Sequence, residues 1–451
     1  MASCTTSGSG SRRCCSSPTT ATTCSPPTTR TRSSASAEPP MVLLSLDDPA
    51  CRAPDVVGGK AARLAAARAH GLPVLPGLVV PVEAARRSLA AGCAALGRGS
   101  GTARRAAMGV PLSMALERDL AAAVDELGGL VIVRSSSPLE SDPSWSGAFS
   151  SLGDVKIADV GVAVRSCWSS AFAVDPLQRL AELSRGPSAL RLAVLLQPQL
   201  EAVAGGTARW AEHTLLVDGV RGHPGGLLSG WVDGHSARVH GDRIEHVDGD
   251  GLDDDLVLAV ARLMRTVHDA LGDDTIEWIA DPVGLRLVQS HRMSAGVRPV
   301  PEMPDSTWPP AGAARFTGIG AVPGDARGEI VRPRPHQTLP AERARGCIIV
   351  IDRPYPAYAP LLFAAAGLVT LGGPARAHLI EVAESLGVPT LVRVPAAEAL
   401  RDLDRTNERM FGAIDTMSGQ LSLWTEPPAE AATMPPGRTR SLRRRWRSRR
   451  P

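Results

Sequence analysis

The chain has 451 residues, of which 43% are hydrophobic, 21% charged and only 3% aromatic. That is ordinary for globular protein but too long for one core, so two or three domains are expected. Apolar clusters such as Leu361 to Leu371 fall well short of the roughly 20 residues that cross a bilayer, which excludes a membrane-spanning chain and leaves a cytoplasmic one as the expectation. The net charge of +3 is unevenly placed: the last 14 residues carry +8, the first 40 carry +3, and residues 39 to 436 carry −8. An acidic body is not built for nucleic acid, and the Arg-rich tail, with only Trp446 interleaved, reads as a solvated end more readily than as an RNA or lipid contact.

Residues 1 to 40 are Ser, Thr, Pro, Cys and Arg without an apolar h-region, which predicts a disordered leader and not a secretory signal. Four of the eight cysteines lie there; Cys51, Cys93, Cys167 and Cys347 are scattered singly, so small buried hydrophobes are expected and a disulfide framework is not. From Met41 onward strand-like and helix-like patterns alternate. Lys60 to His70 reads as a helix closed by Gly71, Leu72 to Pro81 as a Pro-punctuated strand, and Leu130 to Arg134 as a buried strand. Leu190 to Gln197 and Leu285 to Gln289 are further strands, and Asp254 to Leu271 is a long amphipathic helix. Five prolines between Gly296 and Pro310 mark an extended linker. Beyond it, short apolar runs at Cys347 to Ile351, Leu368 to Thr370 and Thr390 to Val394 surround a helix from about His378 to Leu386. The pattern divides the chain into a leader at 1–40, a domain at 41–295, a linker at 296–312, a second domain at 313–426 and a basic tail at 427–451.

Several segments can carry chemistry. Only two of the 49 basic residues are lysines, Lys60 and Lys156, so a lysine retained in Gly58-Gly59-Lys60 draws notice. Glycines admit close backbone approach and an ammonium can meet phosphate, but alone the triplet reads more readily as a turn before a helix. Val131-Ile132-Val133-Arg134-Ser135-Ser136-Ser137 delivers a guanidinium into a Ser-rich turn, which suits a polyphosphate. Asp274-Thr275-Ile276-Glu277-Trp278 and Leu287-Val288-Gln289 put a carboxylate and an amide oxygen on two successive strands around an Asp281-Pro282 turn. Oxygen ligands of that kind suit Mg²⁺ bridging nucleotide phosphates.

Taken in order, these segments resemble the ATP-binding domain of the pyruvate phosphate dikinase, phosphoenolpyruvate synthase and rifampin phosphotransferase family. The resemblance runs from Val57 to Leu64, through Gly71 to Val80, Val133 to Ser136, Ser146 to Phe149 and Gly226 to Gly230, to Glu277 and Gln289. In the second unit Gly318 to Gly328 and Asp415 to Leu421 resemble the opening and closing of that family's swivelling phosphohistidine domain. Thr370, His378, Gly387 and Pro389 keep the family spacing around the histidine that accepts phosphate. The resemblance implies an α+β multidomain fold, an ATP-grasp-like nucleotide-binding domain followed by a small β/β/α phosphohistidine domain. It implies ATP held by Lys60, Arg134 and Arg292, Mg²⁺ held by Glu277 and Gln289, and His378 as nucleophile. The other histidines, His70, His213, His223, His235, His240, His246, His268 and His336, lack such context and are expected at the surface.

A helix start at His378 would favour anionic phosphate and disfavour imidazolium. Departures from the family pattern are Thr275 for Asp, His291 for Arg, Gly373-Pro374 for Gly-Gly, Arg376-Ala377 for Thr-Ser, and Glu384 for Arg. They leave a catalytically degenerate nucleotide-binding module as the alternative to an ATP-dependent dikinase-type phosphotransferase. The acceptor domain of family members has no counterpart here, so a small-molecule acceptor, bound in the interdomain cleft or by a separate substrate-binding subunit, is expected.

Overall fold

Two antiparallel sheets, one mixed sheet and the helices between them make up the described residues, 43–211, 214–249, 251–293, 309–333, 339–401 and 409–425 of the computed structural model. The leader, the basic tail and residues 296–308 of the expected linker lie outside them. The first sheet contains β1 (Leu44–Ser45), β2 (Leu78–Val80), β3 (Val131–Ser136), β4 (Ser151–Val155) and β5 (Ala193–Pro198), in the order β1-β2-β5-β3-β4. The second contains β6 (Ala204–Ala211), β7 (Thr214–Arg221), β8 (His235–His240), β9 (Arg243–Asp248), β10 (Thr275–Ala280) and β11 (Leu285–His291), in the order β11-β10-β6-β7-β8-β9. These two sheets form what we call the large lobe.

Helix α1 (Pro54–Ala69) opens on Pro54 and closes before Gly71, which adopts a φ of 72°. Helix α2 (Asp254–Leu271) starts where Asp253 accepts a 2.8 Å bond from the Leu256 amide and stops at Gly272 in the left-handed region. One continuous core joins Val57, Ala61 and Leu64 of α1 to Val79 and Leu195 of the first sheet and to Val217, Trp278 and α2's Met264. Each fully buried aliphatic side chain there contributes about 1.5–3 kcal/mol, against about 0–1 kcal/mol for a surface ion pair. Apolar burial therefore sets how the two sheets meet.

The small lobe is the third sheet: β12 (Ala314–Thr317), β13 (Ile319–Val322), β14 (Asp325–Val331), β15 (Ile348–Ile351), β16 (Gly367–Thr370), β17 (Thr390–Val392), β18 (Phe411–Asp415) and β19 (Gln420–Trp424). Its order is β12-β19-β18-β14-β15-β16-β17-β13, with β14 through β17 parallel. Helix α3 (His378–Ser385) crosses between β16 and β17 and buries Leu379, Ile380, Val382 and Ala383 against one face of the parallel strands. The chain is thus a mixed α/β protein with several sheets. Among the described residues no helix is long and apolar enough to cross a membrane. The four described cysteines are free; Cys51 and Cys167 are buried, Cys93 and Cys347 half-buried.

Candidate active site

Glycine brings α1 onto β3. Gly58 has a φ of 76°, and a Cβ there would stand 2.1 Å from the Ser136 carbonyl oxygen. The close approach lets Gly59 N–H donate to Ser137 O at 2.9 Å and Ala61 N–H to Ser136 Oγ at 3.0 Å, while that hydroxyl donates to Val57 O at 2.7 Å. The glycine pair therefore serves helix-on-strand packing, and Lys60 emerges from it with Nζ 2.5 Å from Glu140 Oε1. Glu140 escaped the sequence reading, although Ser137-Pro138-Leu139-Glu140 carries a capping-box signature: Glu140 Oε2 accepts from Ser137 N at 2.7 Å.

Arg134, on the adjoining strand, is only 7% exposed and bridges the two sheets of the large lobe. Its Nη1 donates to Val288 O at 2.7 Å and to Gln197 Oε1 at 3.4 Å, and its Nη2 lies 3.8 Å from Glu277 Oε2. Burial pushes its pKa down, opposed by Glu277 and Glu140. Glu277 of β10 stands directly opposite Gln289 of β11, so the two share one face of the hairpin. The turn is fixed by Asp281 Oδ1, which accepts from Val283 N at 2.8 Å and Gly284 N at 2.7 Å.

Lys60, Arg134, Glu277, Gln289 and His378 all line one cavity of about 400 Å³, together with Glu140, Ser146 and His291. A carboxylate and an amide oxygen opposed across a ladder, beside two cations suited to phosphate, is a donor set that fits Mg²⁺ sharing its coordination with a polyphosphate. No group of three His, Cys, Asp or Glu that could hold a metal without such a ligand exists among the described residues. Arg292 does not join them. It is exposed just after β11 and does not line the cavity, whereas His291, paired across the ladder with Thr275, does. Neither ring nitrogen of His291 has a hydrogen-bond partner among the described residues. Asp274, one step from the family position, instead accepts from Met293 N at 2.8 Å and Thr275 Oγ1 at 3.1 Å. His223 lines the cavity from an exposed position, as expected of a surface histidine, whereas His235 is buried with Nδ1 2.9 Å from Gly249 O and is not one.

On the opposite wall His378 is the first residue of α3. Its Nδ1 lies 2.9 Å from Ser146 Oγ and 3.3 Å from Glu381 Oε2, and Ser146 Oγ donates to the same Glu381 oxygen at 2.5 Å. Ser146 belongs to the large lobe, where buried Arg179 holds the backbone on both sides of Trp145: Nη1 donates to Ser144 O at 2.7 Å and Ser146 O at 3.0 Å. Gly147, with a φ of 66°, leaves room for the imidazole, whose Cβ would be 3.3 Å from an added methyl. Burial would lower the His378 pKa, but the Glu381 hydrogen bond and charge outweigh it and hold the ring above its ordinary value. The expectation that a helix start disfavours imidazolium is thereby reversed. Glu381 is held down at about 2: burial pulls it upward, and His378, His291 and the Ser146 hydroxyl overcome that.

Glu384, where the family pattern has Arg, pairs with Arg209 of β6 across the lobes. Arg376, two residues before the histidine, faces Arg209 and Thr275 in a small recess of about 10 Å³. Burial and the Arg209 charge push its pKa down to about 10, and its Nη1 has no hydrogen-bond partner among the described residues.

Residues 54–243 match a family model described as pyruvate phosphate dikinase, AMP/ATP-binding domain, and residues 343–417 match one described as PEP-utilising enzyme, mobile domain. A probable phosphoenolpyruvate synthase from Methanothermobacter thermautotrophicus is 26% identical over 314 residues, covering 60% of this chain and 45% of that protein. The chain thus spans under half the length of that curated relative. Among solved structures, the holo form of Thermococcus kodakaraensis aconitase X is 17% identical, covering 25% of this chain and 98% of that chain with a TM-score of 0.19. PH1788 from Pyrococcus horikoshii is 14% identical, covering 46% and 97% with a TM-score of 0.24. Neither likeness is high enough to bear on the fold.

Proposed function

The chain belongs to the pyruvate phosphate dikinase and phosphoenolpyruvate synthase family, and from that premise we propose that it is an ATP-dependent phosphotransferase working through a phosphohistidine at His378. Lys60 would exchange Glu140 for the triphosphate, and Arg134, held by Val288 O, would present its fork to the same oxygens. Glu277 and Gln289 would hold Mg²⁺, which supplies neutralising charge between phosphates. His378 attacks with Nε2, which no hydrogen bond engages among the described residues. At the β-phosphorus a P–N bond forms, the bond to the α-phosphate's bridging oxygen breaks and AMP leaves, so that the ring first carries the β- and γ-phosphates; water then attacks the γ-phosphorus, the β–γ bridge breaks, and inorganic phosphate departs to leave the phosphohistidine. The phosphoryl group then passes to a small-molecule acceptor, pyruvate or another, reached in the cleft or on a separate subunit.

The observation that carries this reading is that five side chains singled out along the sequence, from Lys60 to His378, line a single cavity between two lobes. Incubation with β-labelled and with γ-labelled ATP tests it. Acid-labile label is expected on the wild-type chain and absent from His378→Ala. Label that persists in the variant would remove His378 from the mechanism, and ATP binding without any label would leave a nucleotide-binding module in place of a phosphotransferase.

A further inference from the structure

The hydrogen bonds around Nδ1 admit one assignment of protons. Glu381 is ionised and can only accept. The Ser146 hydroxyl has a single hydrogen, and the 2.5 Å approach of its oxygen to Glu381 Oε2 commits that hydrogen to the carboxylate. Ser146 Oγ can then face Nδ1 at 2.9 Å only as an acceptor, so Nδ1 must carry a proton. The same holds for the direct 3.3 Å approach of Nδ1 to Glu381, since two acceptors without a hydrogen between them repel. In the neutral ring the lone pair is therefore on Nε2.

We infer that Glu381 and Ser146 are positioning residues that fix His378 in the tautomer with Nδ1 protonated and Nε2 free, and that the relay is complete only while the small lobe sits on the large one. Two of its members, His378 and Glu381, stand one turn apart on α3, and the third comes from the loop held by Arg179. When Nε2 becomes bonded to phosphorus, the Nδ1 proton stays where it is and the carboxylate offsets the positive charge developing on the ring. Once the ring is neutral, no further proton has to leave before attack, and none has to move during it. The role rests on the phosphohistidine reading for its purpose, but the tautomer can be measured without turnover. Other charges reach the ring: Glu277 from β10 supports the protonated form and Lys60 from α1 opposes it, while His291 from β11 acts on Glu381.

The test is long-range ¹H–¹⁵N spectroscopy of the full chain carrying ¹⁵N-histidine, with the His378 signals assigned by their loss in His378→Ala. The wild-type ring is expected to titrate above 6.5 and, once neutral, to show a protonated Nδ1 and a bare Nε2. In Glu381→Gln the midpoint should fall by about one unit or more, and both tautomers should appear. Ser146→Ala should mix the tautomers while shifting the midpoint less, because the carboxylate remains; Glu381→Asp should restore part of the wild-type spectrum. Phosphohistidine labelling, which needs the neutral ring, should rise with pH through the wild-type midpoint and fall at least about tenfold in Glu381→Gln even above it. A wild-type ring with mixed tautomers, or a spectrum unchanged by Glu381→Gln, would overturn the positioning role even if the chain labels normally. A fixed tautomer in a chain that never labels would instead uphold the role and remove the phosphohistidine reading.

Discussion

The two walls of the cavity are held in place by different means. On the large-lobe wall Glu277 and Gln289 are opposed by a ladder of backbone bonds, and Lys60 and Arg134 already have partners at 2.5 and 2.7 Å within the same lobe. On the small-lobe wall the imidazole of His378 is oriented by side chains alone, one of them from the other lobe. The first wall keeps its shape whatever the small lobe does. The second has its full geometry only when the lobes are together, so damage to the two should be read out differently.

The same substitution placed behind the large-lobe wall and against the imidazole of the small-lobe wall breaks the comparison most sharply. Gly58→Ala puts a methyl 2.1 Å from a backbone oxygen at a φ of 76°, where neither partner can yield. It should destabilise the chain by at least about 2 kcal/mol and lower the melting temperature. Gly147→Ala meets its nearest atoms, those of His378 and Pro356, only at 3.3 Å, at a φ of 66°. It should cost about 1 kcal/mol of stability while displacing the imidazole and cutting phosphohistidine labelling by about tenfold or more. Melting curves and labelling rates on both variants check this; equal losses of stability would erase the distinction between the walls.

The same contrast explains what could be read from the sequence. Local signals were legible: α2 runs from Asp254 to Leu271 as its periodicity and caps predict, and Glu277 and Gln289 fall opposite each other because a hairpin at Asp281-Pro282 leaves little freedom of register. The predicted strand from Leu72 to Pro81 shrinks to Leu78–Val80, since Pro73 and Pro76 bring no amide to a ladder. Gly58 and Gly59 read as a turn before a helix or as room for a ligand; the structure spends that room on the Ser136 and Ser141 contacts of α1. Glu381 and Ser146 were out of reach for another reason. A glutamate one turn into a short helix looks like any amphipathic position, and its serine partner lies 235 residues away in the chain. Pairings of that kind exist only once both lobes are placed.

A second way to sharpen the comparison uses the ion pair between the lobes. Arg209 and Glu384 are 14% and 16% exposed, so each stands mostly out of water and depends on the other. Glu384→Arg would set two guanidiniums face to face beside Arg376, whose Nη1 already lacks a partner among the described residues. We expect that variant and Arg209→Glu each to weaken lobe association by about 1–3 kcal/mol, and the double reversal to recover part of it. Small-angle scattering and protease sensitivity would follow the separation of the lobes, and a double-mutant cycle on labelling would follow the site. Additive losses would show that the pair does not couple the lobes.

The smallest effect is expected at Arg292, and its smallness is what makes it informative. Successive strand residues point to opposite faces. Gln289 and His291 therefore share the cavity face of β11, opposite Glu277 and Thr275, and Arg292 falls on the other side of the chain. If the guanidinium expected near this position from the family pattern had been replaced by its neighbour, a bulge would have to turn Arg292 inward. The bulge in this hairpin lies instead at Glu277/Trp278, and Arg292 remains exposed. Arg292→Ala should thus change labelling by less than about twofold, the range of an ordinary surface substitution, whereas His291→Ala, removing a ring whose nitrogens have no partner among the described residues beside the cavity, should reduce it well beyond that. The reverse ranking would mean that the strand face seen by ATP is not the one that carries Gln289, and the large-lobe wall would have to be rebuilt around Arg292.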